Sequence, residues 1–503
     1  MKLKMLAIAA AVTMSFPAWA DKTYNADVVV VGAGAGGTVA AVSAVEGGLK
    51  TIMIEKNAFP GGAGLFMEGS FGVQTPYTKA KGMKWTTTDA FNAMASYHHW
   101  RINAPLMKAF VELSGDTIQW VEDHGVKWKE VKTAWRDKAE QTWHIYPYAG
   151  SLPETMVELF KKEGGTLLLN TPGEKLITKD GKVTGVIAKD TKTGEKVTIN
   201  AKNVILATGG YSFNAKMVKD LTGIEMTPVG TPGRTGDGIN MAFEVGALGD
   251  NIGPMMMNGA FMPAEGEAIC NGANKEVRAL FRQGLLYVDG TGNRFFNEEL
   301  TIDWPTASNA IARSGEWTYI VFDEKTKQEI STKGKGYPNP CGNFILRGQH
   351  ATQLDALLKA NEAKGNVFIG NTIEEVAKKA GMDPATLKAS CDAITKYARQ
   401  GKDEQFGKDP YYLREVATGP FYVVRGKINA LTSLNGVKVN AGLQVLDKND
   451  HVIPGLYAIG HDAGGMYGDS YDLKVGEGTA SAFAINSGRH DDPQGRKEVI
   501  ASL

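Results

Sequence analysis

Between residues 27 and 55 the chain runs through an apolar β-branched stretch, three spaced glycines, a small-residue helical pattern, a second apolar stretch and an acid. Asp27-Val28-Val29-Val30-Val31 lacks polar alternation after its first residue, which suits a strand buried on both faces of a parallel sheet. Gly32, Gly34 and Gly37 satisfy G-x-G-x-x-G, with Gly36 beside the last of them. Residues 38–46 (TVAAVSAVE) then predict a helix slim enough to pack tightly on the sheet. A pyrophosphate suits that helix's N-terminus, where free N–H groups and the helix dipole attract anions. The second strand, Thr51 to Ile54, ends at Glu55, placed to accept hydrogen bonds from an adenosine ribose. Glycines alone are a weak signal, but all five parts in register predict a Rossmann-like dinucleotide-binding unit.

The 503 residues suffice for two or three domains with a large core. With 55 Lys+Arg against 55 Asp+Glu there is no basic footprint for nucleic acid or an anionic membrane surface, so the expected partner is a small molecule. Cys270, Cys341 and Cys391 form no C-x-x-C pair, and His98-His99 has no partners at metal-binding spacing, so neither a metal site nor a haem attachment site is expected. One disulfide remains open. Residues 1–20 read as a cleavable export signal: Lys2 and Lys4, the apolar run from Met5 to Phe16, then Ala18-Trp19-Ala20. The run is shorter than the roughly 20 residues a membrane span needs, and no twin arginine precedes it. Sec-type export to the periplasm without stable membrane insertion is the expectation.

A further glycine group, Gly61, Gly62, Gly64, Gly69 and Gly72, follows the second strand. Nicotinamide-only domains do not need such a segment, whereas it suits backbone approaching the flavin side of FAD; a flexible loop is the other reading. Later segments read DTIQWVEDHGVKW (116–128), NVILATGGY (203–211), GRTGDGINMAFEVGA (233–247), GNRFFNE (292–298), GKDEQFGK (401–408), GPFY (419–422) and IPGLYAIGHDAGGMYG (453–468). Together these resemble the flavoprotein subunit of the fumarate reductase and succinate dehydrogenase family, most closely its soluble periplasmic members such as flavocytochrome fumarate reductase and urocanate reductase. The likeness covers most of the chain.

That resemblance implies an α/β fold: a Rossmann-like FAD-binding domain in two stretches, 21–253 and 434–503, with an inserted α+β capping domain over 254–433. Helical patterns in the insertion run from Leu354 to Ala363, from Thr372 to Ala380 with Gly381 beyond, and from Pro384 to Arg399. Glu174 to Asn200 reads as a β-meander with turns at Asp180-Gly181 and Thr193-Gly194. The implied cofactor is FAD, held non-covalently because no histidine lies in the 60–72 loop. Its expected contacts, besides Gly32, Gly34, Gly36, Gly37 and Glu55, are Gly62, Gly64, Gly69 and Gly209 in the turn after Val204 to Ala207, together with His461. Asp237 is expected both to cap the helix from Ile239 to Val245 and to bind the cofactor. Thr479 and Ala480 open the last helix, whose N-terminus the family places against the isoalloxazine ring.

The family reduces a carbon–carbon double bond conjugated to a carboxylate: flavin N5 delivers hydride, an arginine supplies the proton, and histidine and arginine hold the carboxylate. Here the arginine position falls on Ile302 or Trp304, a substrate histidine on Thr432, and the substrate-arginine stretch offers only Lys474; a further histidine is missing from 253–261. An activated alkene other than fumarate is therefore expected, an α,β-unsaturated acid or carbonyl compound. Arg282, Tyr471 and Lys474 are the candidate catalytic residues. Arg294 reads as a structural bond across the cap, Met255 to Met257 as pocket or core, and Trp128, Trp135, Trp143, Tyr146 and Tyr148 as a wall for a bulky substrate. With no haem motif in the chain, a separate cytochrome c or similar donor is implied. The competing readings are a dehydrogenase that installs a double bond and a non-catalytic flavin electron-transfer protein.

Overall fold

The computed structural model describes residues 21–135, 139–263, 272–333 and 350–489. The export segment, Cys270 and Cys341 lie outside the described residues. Strand β1 (Lys22–Val31) ends in four valines that are 0–3% exposed. It pairs in parallel with β2 (Thr51–Ile54) on one side and with the strand Lys196–Leu206 on the other. This explains the unbroken apolar run, because both faces of β1 are covered. The sheet has eight strands, extended in parallel by Thr166–Leu168 and Val452–Ala458 and closed by Gln444–Leu446. The meander joins the same sheet: Gly173–Lys179, Lys182–Lys189 and Lys196–Leu206 pair antiparallel in succession, with Asp180 and Gly181 at φ 51° and 77° in the first turn.

Helix α1 (Ala35–Glu46) begins three residues before the predicted Thr38, because Gly34 occupies its N-cap and Gly36 and Gly37 form its first turn. It packs on the last helix, Thr479–Gly488, almost backbone to backbone. A β-carbon on Gly36 would stand 2.8 Å from the Ala484 carbonyl oxygen, and one on Gly488 would stand 2.6 Å from the Gly36 oxygen.

The second sheet has six strands gathered on the long strand Phe421–Ser433, which pairs with Met255–Phe261, Thr318–Asp323 and Val367–Gly370, and with the two-residue strand Thr227–Pro228. This sheet thus begins ahead of the boundary expected at residue 253. Beside it lie Leu354–Glu362, Ile373–Ala380 and Pro384–Gln400, within one residue of the predicted helices. Thr372 accepts the Glu375 N–H at one start and Gly381, at φ 75°, ends the helix. Arg294 is the structural bond its motif suggested: its guanidinium reaches Glu298 at 2.8 Å and Asp403 at 2.7 Å, and Lys408 completes the buried cluster at 3.2 Å from Glu298. Burial alone would push the Asp403 carboxyl up, but the hydrogen bonds from Arg294 and nearby backbone N–H groups outweigh it and hold the group well below the usual carboxylate range. Among the described residues no helix is long and apolar enough to cross a membrane.

Candidate active site

A cavity of about 890 Å³ opens where the parallel strands end, lined by Val31, Ile54 and Ala207 at those ends and by the second sheet opposite. The glycines of the first turn serve it in different ways. Gly32, at φ 110°, lies against the next strand, where a β-carbon would stand 2.3 Å from the Ala207 oxygen. Gly37 is outside the cavity wall and lets α1 close onto that turn, since its β-carbon would stand 1.9 Å from the Gly32 oxygen. Gly34 lines the cavity, and a β-carbon there would meet nothing within 4 Å. Bare backbone at Gly34 is where a ligand can come closest. Glu55 also lines the cavity while its carboxylate accepts the Ala33 N–H at 3.0 Å and the Asn57 N–H at 2.8 Å.

The second glycine segment is ordered rather than a flexible loop. Gly61 donates its N–H to the Ala33 oxygen at 2.7 Å, and the Thr231 hydroxyl donates to the Gly62 oxygen at 2.7 Å. A short 3₁₀ turn, Gly62–Phe66, and the strand Gly69–Phe71 follow, with Gly62, Gly64 and Gly69 all on the cavity wall. A β-carbon on Gly69 would stand 2.4 Å from the Trp143 indole nitrogen. Of the expected aromatic wall, Trp143 does line the cavity, Trp128 and Tyr146 pack on each other, and Tyr148 is exposed. The Trp135 side chain is outside the described residues.

At the far side the Thr208-Gly209-Gly210 turn is pinned by Asp462, which the motif reading missed. The Asp462 carboxylate accepts the Thr208 and Gly210 N–H groups and the Thr208 hydroxyl, and burial pushes its pKa up. Its only sequence signal was an acid directly after His461 in the loop beyond a buried strand. Gly209 lines the cavity with Asp237, yet Asp237 does not cap its helix. The N-cap is Gly236 at φ 85°, which makes Asp237 the first helical residue, and its carboxylate instead takes Lys56 and the Thr235 hydroxyl, both at 2.6 Å. Arg234, also missed, is buried in the wall and donates to the Val229 and Leu431 oxygens; burial pulls it down to about 10. His461 faces the same cavity, partly buried, with no hydrogen bond at Nδ1 among the described residues. Burial first, and the Arg234 charge second, pull it down to about 4, so the imidazole is neutral.

The remaining wall sets apolar and aromatic side chains, Met256, Phe261, Trp304, Tyr471 and Leu473, beside the polar Asn258, Arg278, Arg282 and Glu477. Of the two positions offered by the arginine segment, Trp304 is on the wall and Ile302 is not; Thr432 is on it as well. Arg282 lies between the Phe261 and Trp304 rings and donates to the Asn258 and Thr301 backbone oxygens at 2.7 and 3.1 Å. Tyr471 is 3% exposed, stacked on Trp304 with ring centroids 5.8 Å apart, and its hydroxyl accepts the Gly478 N–H at 3.0 Å. Burial, then the nearby Asp472 charge, push that phenol well above its ordinary value. Lys474 is exposed and absent from the wall, because the turn that buries Asp472 and Leu473 directs the next residue to solvent. Thr479 is likewise off the wall, its hydroxyl turned to Asp472, whereas Gly478 and Ala480 line it. Among the described residues no His, Cys, Asp and Glu group is arranged to hold a metal; His98 is buried and His99 exposed.

This cradle fits a flavin dinucleotide: glycine backbone at residues 32–36 for the pyrophosphate, Glu55 at the ribose end, and a neutral histidine with an unused ring nitrogen at the other. A family model described as "FAD binding domain" matches residues 27–474. The chain is 32% identical over 489 residues to vinyl phenol reductase of Lactiplantibacillus plantarum, covering 95% of this chain and 98% of that protein. It is 28% identical to the cytochrome fumarate reductase of Shewanella frigidimarina, over 88% of this chain and 72% of that one. The solved open conformation of a flavocytochrome c3 fumarate reductase superposes with a TM-score of 0.69 at 26% identity, covering 93% of this chain and 77% of that chain.

Proposed function

The chain belongs to the FAD binding domain family, and from that membership we propose that it is a periplasmic reductase of an activated carbon–carbon double bond, serving as a respiratory terminal enzyme. It is an FAD-dependent oxidoreductase acting on such bonds, as its relatives are. FAD held in this cradle would supply the hydride for the β-carbon. The chain's own residues shape the other half of the reaction. Tyr471 carries the reading: it lines the wall, and the Gly478 N–H is directed at its hydroxyl oxygen. When its proton passes to the α-carbon, the phenolate left behind keeps the Gly478 N–H bond at the start of the last helix, whose dipole favours negative charge. Arg282 braces the cap wall through backbone oxygens and brings positive charge to the aromatic face. Trp304 and Thr432, on the wall where the resemblance places a catalytic arginine and a substrate histidine, support a substrate other than fumarate.

The export signal and the absence of a haem motif in the chain support a separate cytochrome c or similar electron donor. The test is reoxidation of the reduced holoenzyme by acrylate, urocanate, 4-vinylphenol, 2-cyclohexenone and fumarate. Turnover of at least one of the first four, with fumarate slowest, supports the reading; FAD-loaded protein that none of them reoxidises overturns it.

A further inference from the structure

Of the acids on the cavity wall, Glu55 is held by backbone N–H groups, Asp237 by Lys56, and Glu477 is engaged as well. The Glu68 carboxyl, also on the wall, has neither a hydrogen bond nor an ion pair among the described residues. Its backbone is tied down, since the Glu68 oxygen accepts the Tyr146 N–H at 2.9 Å. Glu68 is exposed, yet burial pushes its carboxyl above the ordinary value, against the opposing charge of Lys132. The two observations agree because the surface it exposes belongs to the cavity, with protein around it. Glu68 also stands close to Tyr471. A β-carbon on Gly478 would be 3.0 Å from the Gly69 oxygen, and the Gly478 N–H meets the Tyr471 hydroxyl at 3.0 Å. Beyond Tyr471 come the stacked Trp304 and then Arg282 over that ring. This stretch of wall therefore runs from an acid at Glu68 to a cation at Arg282, with flat aromatic faces between them.

We propose that Glu68 is a specificity-determining residue: its carboxylate accepts a hydrogen bond from a phenolic hydroxyl on a planar conjugated alkene and turns away alkenes that carry a carboxylate at that place. This rests on the reductase reading above and narrows its substrate class. An ionised carboxyl accepts hydrogen bonds and donates none, so the group that satisfies it must be a donor. A cationic group would serve, but Arg234, Arg278 and Arg282 line the same cavity and oppose it. A carboxylate would meet a like charge where burial already disfavours one. An uncharged hydroxyl meets neither objection, and the rings of Trp143, Trp304 and Tyr471 on the wall suit a planar carrier. Discrimination follows from the asymmetry of hydrogen bonding: a bond to a charged group gains more than a neutral one, and an analogue that leaves the desolvated acceptor unpaired loses more than the bond itself.

The experiment uses three alkenes built on one frame: 4-vinylphenol, 4-methoxystyrene, which lacks the donor, and 4-vinylbenzoate, which carries the carboxylate. Their affinities for the oxidised, FAD-loaded enzyme are read from perturbation of the flavin absorbance in wild type, Glu68→Gln and Glu68→Ala, and flavin affinity is titrated separately for each protein. Wild type is expected to bind 4-vinylphenol at least about tenfold more tightly than either analogue. Glu68→Ala should bring 4-vinylphenol to within about twofold of 4-methoxystyrene, and both variants should bind 4-vinylbenzoate at least about threefold more tightly than wild type does, with flavin affinity little changed. Equal binding of 4-vinylphenol and 4-methoxystyrene by wild type, a parallel change for all three ligands in the variants, or a loss confined to flavin affinity, which would assign Glu68 to the cofactor, overturns the inference. In each of these cases, reoxidation of the reduced wild type by any of the first four alkenes above leaves the reductase reading standing. A wild type that ferricyanide reoxidises and no alkene does removes that reading, and the inference with it.

Discussion

A β-carbon on Gly37 would stand 1.9 Å from the carbonyl oxygen of Gly32, whereas Gly34 between them has nothing within 4 Å of that position. The two glycines therefore fail differently. Gly37→Ala drives a methyl into fixed backbone, a case at or beyond the upper end of the roughly 1–3 kcal/mol seen for overpacking; the expected outcome is loss of both thermal stability and flavin. Gly34→Ala, at φ −76° in the extended region, leaves the apoprotein's melting temperature nearly unchanged but puts the methyl where the dinucleotide lies. Its flavin affinity, measured by fluorescence titration, is expected to fall by about tenfold or more, the equivalent of about 1.4 kcal/mol.

His461 makes stability depend on pH. Its folded value, about 4, is below the 6.5 of the free side chain, so between those limits the unfolded chain binds a proton that the folded chain refuses. Stability then falls as pH drops through 6.5, and the loss is complete near 4. Moving from pH 7 to pH 5 should cost about 2 kcal/mol at this residue, from about 1.4 kcal/mol per unit. His144, buried on the strand that pairs with Gly69–Phe71 and also lowered to about 4, adds a similar increment. Denaturant unfolding of the apoprotein checks this: His461→Gln is expected to shrink the pH 7 to pH 5 difference by about half.

In the cap, Arg294 is held between Glu298 and Asp403 and is not part of the cavity wall. Arg294→Met removes one cation and leaves the two buried carboxylates, among the described residues of this cluster, with Lys408. Breaking a buried pair on one side costs about 3–5 kcal/mol. Differential scanning calorimetry should show a matching drop in the cap's transition, while the flavin absorbance of protein purified in the cold stays that of the wild type.

What could be read from the residues in advance follows from the range of the forces involved. β1, α1 and β2 were legible because strand, turn and helix signals there are local and all agree. The three cap helices were legible for the same reason, through Thr372, Gly381 and Pro384. Asp237 was misread as a cap because a one-residue difference in where a helix begins decides whether a carboxylate can reach the N2 and N3 amides, and Gly236 at φ 85° decides it. Lys474 was singled out because charge and loop position were visible in the sequence, while the turn that exposes it was not. Asp462 and the buried approach of His98 to Asp472, 3.5 Å apart, were invisible for a further reason. Their partners are 252 and 374 positions away, Gly210 for Asp462 and His98 for Asp472, and no local pattern encodes contacts of that kind.

Tyr471 and Lys474, three positions apart, separate the catalytic reading from its rival most directly. Tyr471→Phe keeps the ring stacked on Trp304 and removes the hydroxyl that Gly478 serves. If Tyr471 is the acid, kcat for the alkene falls by about 10²–10⁴, the usual contribution of a positioned proton donor, with KM and flavin content little changed because neither depends on that proton. Lys474→Ala removes an exposed side chain that does not reach the cavity, and its steady-state rates are expected to stay within about twofold of wild type. The opposite pattern, a silent Tyr471→Phe beside an impaired Lys474→Ala, would mean that the loop moves far enough on substrate binding to carry the lysine inward. A loss in both with intact flavin would indicate that the whole 467–478 segment is ordered as one unit around the substrate.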